Sequence, residues 1–224
     1  METFFIIFVS TVKNVYNFAP MEKKKDIIEQ ALKTYMKYGI KSVTMDEMAR
    51  QLGISKKTLY QYVKDKNDLV QQCLLRGHEQ DCEEIEQIFS KKQDAITEII
   101  EVSRYIVNQL RAVHPSIFFD LSKYHPGALK LMHDHKYDVV CGSVMDNLYR
   151  GIEQKLYRSD MNVELVARMY MAFMDHVLAG DFFDAGNYRP DGIYSEFFHY
   201  HIRGIASKKG LKQFIELIEN DENI

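Results

Sequence analysis

The sequence predicts an all-α protein in which an N-terminal three-helix domain, carrying a helix-turn-helix, is joined to a larger helical bundle. Hydrophobic residues make up 46% of the 224 residues, and they recur at the spacing of amphipathic helices. The chain has only four prolines and no long alternation of apolar and polar residues, which argues against a sheet. Two helix-capping signals lie close together between Gly39 and Val63, as expected for two short helices joined by a tight turn.

Residues 1–20 precede the predicted domains. Their apolar run, Phe4 to Val9, is too short to span a bilayer and has no basic region before it, so it does not predict export. We expect this stretch to be an extension that is not native, with Met21 as the natural start. The alternative is an N-terminal arm lying along DNA, for which Lys13 is the only basic residue.

The first short helix is predicted from about Thr44 to Leu52. The Thr44 hydroxyl can accept a backbone N–H, and Glu47, three residues later, can bond back to the Thr44 N–H, which forms a capping box. Val43 and Met48 have the spacing of a hydrophobic staple.

A second helix follows almost at once. Gly53 suits a left-handed helix end, and Ser55 caps the new helix, whose staple pairs Ile54 with Leu59. Because Leu59 and Val63 pack on the preceding helix, the opposite face is exposed; it carries Lys56, Lys57, Thr58, Gln61 and Tyr62. Side chains of these types bind phosphates and base edges. A solvated lysine face is the alternative interpretation.

A longer pattern surrounds these two helices. It comprises Tyr38-Gly39, Thr44 with Met48-Ala49, the run Leu52 to Lys56, Thr58-Leu59-Tyr60, the run Lys64 to Lys66, and Asp68-Leu69. With these residues, the segment from Lys24 to Leu69 resembles the N-terminal domain of the TetR family of bacterial transcriptional regulators. The resemblance covers about a fifth of the chain.

The resemblance implies that this segment binds double-stranded DNA. It implies that Thr44 caps its helix near a phosphate, that Lys66 grips a phosphate at the start of the fourth helix, and that the DNA is faced by Lys56, Lys57, Thr58, Tyr60 and Gln61. Ser55 and Tyr62 complete the set of candidate DNA-binding residues. The chain departs from the family where His-Tyr-Phe is common, because it has Gln61-Tyr62-Val63 there.

Charge divides the chain at the same place. From Glu22 to Lys66 there are eleven Lys and Arg against six Asp and Glu, whereas residues 67–224 have seventeen against twenty-five. The basic part can neutralise phosphates, and the acidic part is repelled by DNA. We therefore expect a DNA-binding domain at residues 21–66 and an effector-binding and dimerisation domain at residues 67–224. A domain of the first size should dock on the second, since alone it buries too little surface.

Amphipathic helices are predicted throughout the second domain. Their approximate bounds are Asp68–Ser90, Asp94–Val113, Ser116–Lys123, Ala128–Leu156, Met161–Ala179, Gly192–Ile205 and Leu211–Ile218.

Apolar stripes on the last two long helices predict a dimer surface. They carry Leu165, Met169, Phe173 and His176 on one helix and Ile193, Phe197, Tyr200 and His201 on the next. In proteins that this chain resembles, two such helices meet their symmetry mates in a four-helix bundle. The alternative is that the stripes are core.

Aromatic and methionine side chains between these helices and the DNA-binding domain predict an effector pocket with a few polar groups. The candidate lining residues are Tyr105, Gln109, His114, Phe118, Phe119, Tyr124, Met132, Tyr137, Met145, Tyr149 and Tyr170. Ordinary core packing is the alternative for each, and the pattern does not identify a ligand.

No cofactor, metal or catalytic centre is expected. The three cysteines are odd in number and lack metal spacing, as in a cytoplasmic protein with reduced thiols; a redox sensor is the alternative. His133 with His135, and His199 with His201, are two residues apart, which is poor for chelation on a helix. No nucleophile elbow, phosphate-binding glycine loop or HExxH motif occurs.

The function predicted from the sequence is a ligand-responsive transcriptional repressor. It would bind a pseudo-palindromic operator as a homodimer and be released by a small-molecule effector. One alternative is a constitutive DNA-binding or architectural protein without an effector. The other is an all-helical enzyme that uses the helix-turn-helix for docking.

Overall fold

The computed structural model describes residues 18–179 and 188–218, and within these ranges the chain is all-α, as the sequence predicts. Most of the predicted extension, residues 1–17, lies outside the described residues. The described helices are α1 Phe18–Tyr38, α2 Met45–Gln51, α3 Lys56–Leu59, α4 Lys66–Ser90, α5 Ala95–Ala112, α6 Ile117–Tyr124, α7 Pro126–Glu153, α8 Val163–Ala179, α9 Pro190–Ile205 and α10 Lys208–Ile218. Among them, none is long and apolar enough to cross a membrane.

Most helix ends lie within two or three residues of their predicted positions. Helix α7 begins earlier than predicted, at Pro126, because proline is accepted in the first turn of a helix, where its missing N–H has no partner to lose. Helix α3 is shorter than the predicted second helix. It ends at Leu59, and the residues from Tyr60 to Val63 continue as hydrogen-bonded turns.

Side-chain caps form the helix-turn-helix. Thr44 Oγ1 accepts the Glu47 N–H at 3.1 Å, and Ser55 Oγ accepts the Thr58 N–H at 3.0 Å, as the sequence predicts. The capping box is incomplete, because the Glu47 carboxylate accepts from Arg50 at 2.6 Å instead of bonding back to Thr44. Between the helices, Gly53 adopts φ +63°, the left-handed conformation expected of a helix end.

The core around the helix-turn-helix extends into the larger helical bundle. Its buried residues Met48, Leu59 and Val63 pack with Leu69 and Cys73 of α4. Further members come from α6 and α7; they are Ile117, Leu121 and Ala128. The small domain is therefore docked on its neighbour, since part of its apolar core is supplied from beyond position 66. A second core joins α5 with α7, α8, α9 and α10.

The loop between α1 and α2 is fastened to α6 by a short set of polar contacts. The His114 N–H donates to the Met36 carbonyl at 2.8 Å, and the Lys41 N–H donates to Asp120 Oδ2 at 2.8 Å. Asp120 is buried and also accepts from Ser116 Oγ at 3.2 Å. We call this set, with Gly39, the loop latch.

Gly39 has two separate reasons to be glycine. Its φ is +80°, and an added Cβ would lie 2.6 Å from Ser116 Oγ and 3.3 Å from His114 Nδ1. Gly53 has a similar φ of +63°, but a Cβ there would meet nothing within 4 Å. An added Cβ would therefore strain the left-handed backbone at both positions, but it would meet a neighbouring side chain only at position 39.

We expect Gly53→Ala to lower the free energy of unfolding by about 1 kcal/mol, the cost of a left-handed backbone for a residue with a Cβ. Gly39→Ala should lower it by about 1 to 3 kcal/mol more, because the latch must also move to admit the methyl group. Urea denaturation of both variants measures the difference. Equal losses would show that the latch accommodates the methyl group without cost.

Candidate functional site

Helices α2 and α3 present one exposed polar surface. Met48 and Leu59 are buried between the helices, which leaves Lys57, Tyr60 and Gln61 exposed on the outer side of α3 and the turns that follow it. Tyr60 has 43% of its surface exposed. These three side chains have an ammonium, a phenol and an amide to offer a partner, groups that bind phosphates and the edges of bases.

The remaining polar residues of this surface are engaged with the fold. Thr44 and Ser55 are caps, and Ser55 Oγ also lies 2.8 Å from Thr58 Oγ1. Thr58 and Tyr62 are half-buried. The hydroxyls of Thr44, Ser55 and Thr58 are therefore held in place before any partner arrives, and their first effect is to orient α2 and α3.

Lys56 is exposed but paired. Its Nζ lies 2.9 Å from Asp46 Oδ2, and this hydrogen bond is the main cause that raises the pKa of the Lys56 ammonium. Both side chains are largely exposed, so the pair is weak and a phosphate can compete with it. Lys56 therefore remains available to a partner at the cost of an exchange of ion pairs.

Lys66 lies at the start of α4, where the resemblance places it, and its ammonium is bonded within the fold. Its ammonium donates to the Val43 carbonyl at 2.8 Å, and the side chain is half-buried. Burial lowers its pKa, which shows that its charge is partly removed from water. In this arrangement Lys66 holds the start of α2 against α4, and its ammonium is directed to the loop carbonyl.

A cavity of about 870 Å³ lies between the two domains. Four of the predicted pocket residues line it: Tyr105, Gln109, His114 and Phe118. The sequence interpretation missed the opposite wall. It is supplied by α1, the loop after α1 and α4, with Leu32, Tyr35, Met36, Ile40, Val70, Cys73, Leu74 and Gly77. The sequence does show an apolar stripe on α1. Its helical period predicts that this face of α1 is turned away from solvent, but not that it borders a cavity.

The other predicted pocket residues lie elsewhere. Phe119, Tyr124 and Tyr149 are exposed, and Tyr170 is buried in the core of the larger domain. Tyr137 and Met145 pack against that same core. The Met132 side chain lies outside the described residues. The six described residues do not come together as one lining, because they lie on different faces of α6, α7 and α8.

Polar groups of the cavity are concentrated on α4 and α5. Tyr105 Oη donates to Asp81 Oδ1 at 2.7 Å, and burial, followed by this carboxylate, raises the pKa of the phenol. Arg76 Nε lies 2.7 Å from Glu29 Oε1, so the guanidinium ties α4 to α1. Among the side chains that the structure describes, which exclude those of residues 132–136, no three His, Cys, Asp or Glu gather as metal ligands.

The predicted dimer stripe is partly exposed in the single chain. Met169 and Tyr200 expose 71% and 78% of their surfaces, and Leu165 and His176 are exposed as well. Beneath them Phe173 stacks on Phe197, with 3.7 Å between ring centroids. Ile193 and His201 are half-buried, and burial lowers the pKa of His201 to about 4. The stripe therefore has an inner aromatic layer and an outer apolar layer open to a partner.

Comparison with known proteins gives independent results for the N-terminal segment. Residues 27–73 match the family model for bacterial regulatory proteins of the tetR family. A 56-residue segment is 32% identical to an uncharacterized HTH-type transcriptional regulator of Mycobacterium tuberculosis. That match covers 25% of this chain and 24% of the relative, so it speaks for this segment alone.

Solved structures resemble the whole fold. A TetR-family transcriptional regulator from Agrobacterium tumefaciens matches with a TM-score of 0.63 at 16% identity, over 84% of this chain and 100% of that one. A candidate transcriptional regulator from Saccharomonospora viridis, solved in complex with choline, matches with a TM-score of 0.61 at 18% identity, over 84% and 100%. At these identities the likeness establishes the fold.

The two capped helices and the tight turn between them have the geometry of a helix-turn-helix. Within that fold, residues 27–73 match the tetR-family model, and the all-α architecture is similar to that of a TetR-family regulator.

We expect Lys57→Ala and Gln61→Ala each to reduce discrimination at particular base pairs by about 1 to 3 kcal/mol, because both side chains are exposed where base edges would lie. Selection of bound duplexes from a random library, repeated with each variant, measures the change in preference. Lys212→Ala, an exposed lysine of α10, is the control. Unchanged preference in both test variants would contradict the assignment of this surface.

Proposed function

We propose that the protein is a ligand-responsive transcriptional regulator, a repressor that binds a pseudo-palindromic operator as a homodimer and is released by a small molecule. In this proposal residues 21–66 bind DNA, residues 67–224 bind the effector and dimerise, and the protein acts in the cytoplasm without a cofactor or catalysis. One observation supports it above the others: the cavity has a wall from the DNA-binding domain and a wall from the larger domain.

The DNA-binding part of the proposal rests on the exposed face of α3. Lys57, Tyr60 and Gln61 are the candidates for contact with bases and phosphates, with Lys56 available after exchange from Asp46. Further contacts with the DNA backbone would come from Thr44, Ser55, Thr58 and Tyr62. Lys66 contributes through its bond to Val43, which positions α2.

Dimerisation follows from the size of the DNA contact. One recognition helix touches too few base pairs for useful specificity, and a twofold dimer doubles the contact. The exposed apolar residues of α8 and α9 offer a self-complementary surface, with Leu165, Met169 and Tyr200 in the outer layer. A patch of this kind on a monomer is typical of an interface.

We expect Met169→Glu to yield a monomer with much weaker operator affinity, because a carboxylate would be buried against its symmetry mate without a cation. The residue is 71% exposed, so the single chain should fold normally. Light scattering coupled to size-exclusion chromatography measures the mass, and Lys208→Glu, exposed at the start of α10, is the matched control. A dimeric Met169→Glu variant would place the interface elsewhere.

Effector response rests on contacts that span the two domains. A ligand in the cavity would touch Met36 and Ile40 on one side and Phe118 on the other. The His114 N–H that bonds the Met36 carbonyl lies at the same edge, so a ligand that moves α1 also strains the loop latch. The lining predicts a compact, largely apolar organic molecule with a few polar groups. The choline complex of the Saccharomonospora viridis protein supports a small organic ligand in this fold.

A screen of small organic molecules tests this function. An effector should raise the melting temperature of the free protein and weaken operator binding, typically by about 5- to 150-fold for a coupled site. Leu74→Trp should weaken both effects by obstructing part of the cavity, while Leu75→Trp, next to it but outside the lining, should retain them. Operator binding that no compound alters would favour the constitutive alternative.

A further inference from the structure

Four side chains form a compact basic and aromatic cluster at the end of α6. Lys41 Nζ lies 3.0 Å from Tyr124 Oη and 5.0 Å from the ring centroid. Lys123 Nζ lies 5.0 Å from the centroid of Phe119 and 5.7 Å from that of Tyr124. The two rings meet edge to face at 6.3 Å. We call Lys41, Phe119, Lys123 and Tyr124 the lysine-aromatic patch.

The patch is open to solvent and positively charged. Phe119 and Tyr124 expose 53% and 38% of their surfaces, more than stable packing alone requires of large aromatic residues. Asp120 is the only carboxylate between positions 114 and 131, and it is buried in the loop latch. The hydrogen bond from Lys41 lowers the pKa of the Tyr124 phenol, as a positive surrounding should. This basic edge contrasts with the acidic balance of residues 67–224.

The patch lies beside the DNA-binding helices. Lys41 is three residues from the Thr44 cap, so at most about 10 Å of chain separates them. On its other side Tyr124 borders a small cleft that Asn67 and Gln71 of α4 complete. The patch is therefore next to the start of α2 and the first turn of α4, the two ends from which helices of this motif approach a phosphate backbone.

We infer that the lysine-aromatic patch is a second contact with the DNA backbone, made by the larger domain together with the α1–α2 loop. Lys41 and Lys123 neutralise phosphates that flank the site of α3, and the Tyr124 hydroxyl donates to a phosphate oxygen. The inference rests on the proposed DNA-binding function. It follows from the charge of the patch, since a duplex is the polyanion that the neighbouring helices already address.

The same helix also lines the cavity. Ile117, Phe118 and Leu121 of α6 face the space between the domains, while Lys123 and Tyr124 belong to the patch at its end. Eight residues of helix extend about 12 Å, so a shift of α6 by a bound ligand would be felt at the patch. A movement of α6 would then change both the cavity and the proposed DNA contact.

Salt dependence of binding tests the inference. For the full chain, the affinity for operator and for random duplex is measured across a potassium chloride series. Each of Lys41→Gln and Lys123→Gln should lower the slope of log affinity against log salt by about 0.9, the value for one phosphate contact. Both variants should keep the ratio of specific to random affinity, because no base is read.

Lys212→Gln is the matched control, because Lys212 is far from the patch. Its neighbour Gln213 bonds Asp94 at the start of α5. The 18 residues of α5, about 27 Å of helix, separate Asp94 from the end that leads to His114 and α6. An unchanged slope in both test variants, or weaker binding at an unchanged slope, would overturn the patch and leave the proposed function standing. The inference would also be overturned if the two variants lost affinity for vesicles of anionic lipid and kept their affinity for DNA. A parent protein without salt-sensitive DNA binding would overturn both proposals.

Discussion

The close approach of the α1–α2 loop to α6 is the constraint on which the rest of the structure depends. Glycine at position 39 allows the left-handed backbone together with the close contact against Ser116, and two residues later the Lys41 N–H donates to Asp120. The carboxylate of Asp120 is buried, so this backbone donor and Ser116 supply the hydrogen bonds that burial of a charge requires. The contact brings Ile117 and Leu121 into the core of a domain too small to be stable alone.

Local chemistry made the helices predictable, while the cavity depends on contacts that the sequence does not display. Thr44 and Ser55 announce their helices through short-range hydrogen bonds, and the structure forms both caps. In contrast, Leu32 and Met36 repeat with the period of the buried residues around them, yet they border empty space. Periodicity shows which side of a helix faces inward; what fills that side is decided by the helix opposite. The position of Lys66 was hidden for the same reason, since its acceptor Val43 comes from another element.

Burial and pairing sort the basic residues in and beside the N-terminal domain into two groups. Lys66 has given up part of its hydration for two loop carbonyls, and Arg76 is held by Glu29, so both charges contribute to internal structure. Lys41, Lys57 and Lys123 retain exposed ammonium groups, and these are the charges that can release counterions from DNA. Net charge alone therefore overstates the field available to a partner.

A ligand can release DNA only to the extent that it binds one arrangement of the domains better than the other. Reversal of a 99:1 population requires a difference of about 5.5 kcal/mol, and burial of apolar surface yields about 25 cal/mol for each Å², so about 200 Å² of contact must differ between the two arrangements. Contacts with α5 contribute little to this difference, because α5 belongs to the core of the larger domain and would move with it. The contacts that would change are those with Leu32 and Met36 of α1 and with Ile40 in the loop that follows it. In the proposed function, the wall contributed by residues 21–66 is thus what would let a largely apolar cavity act as a switch.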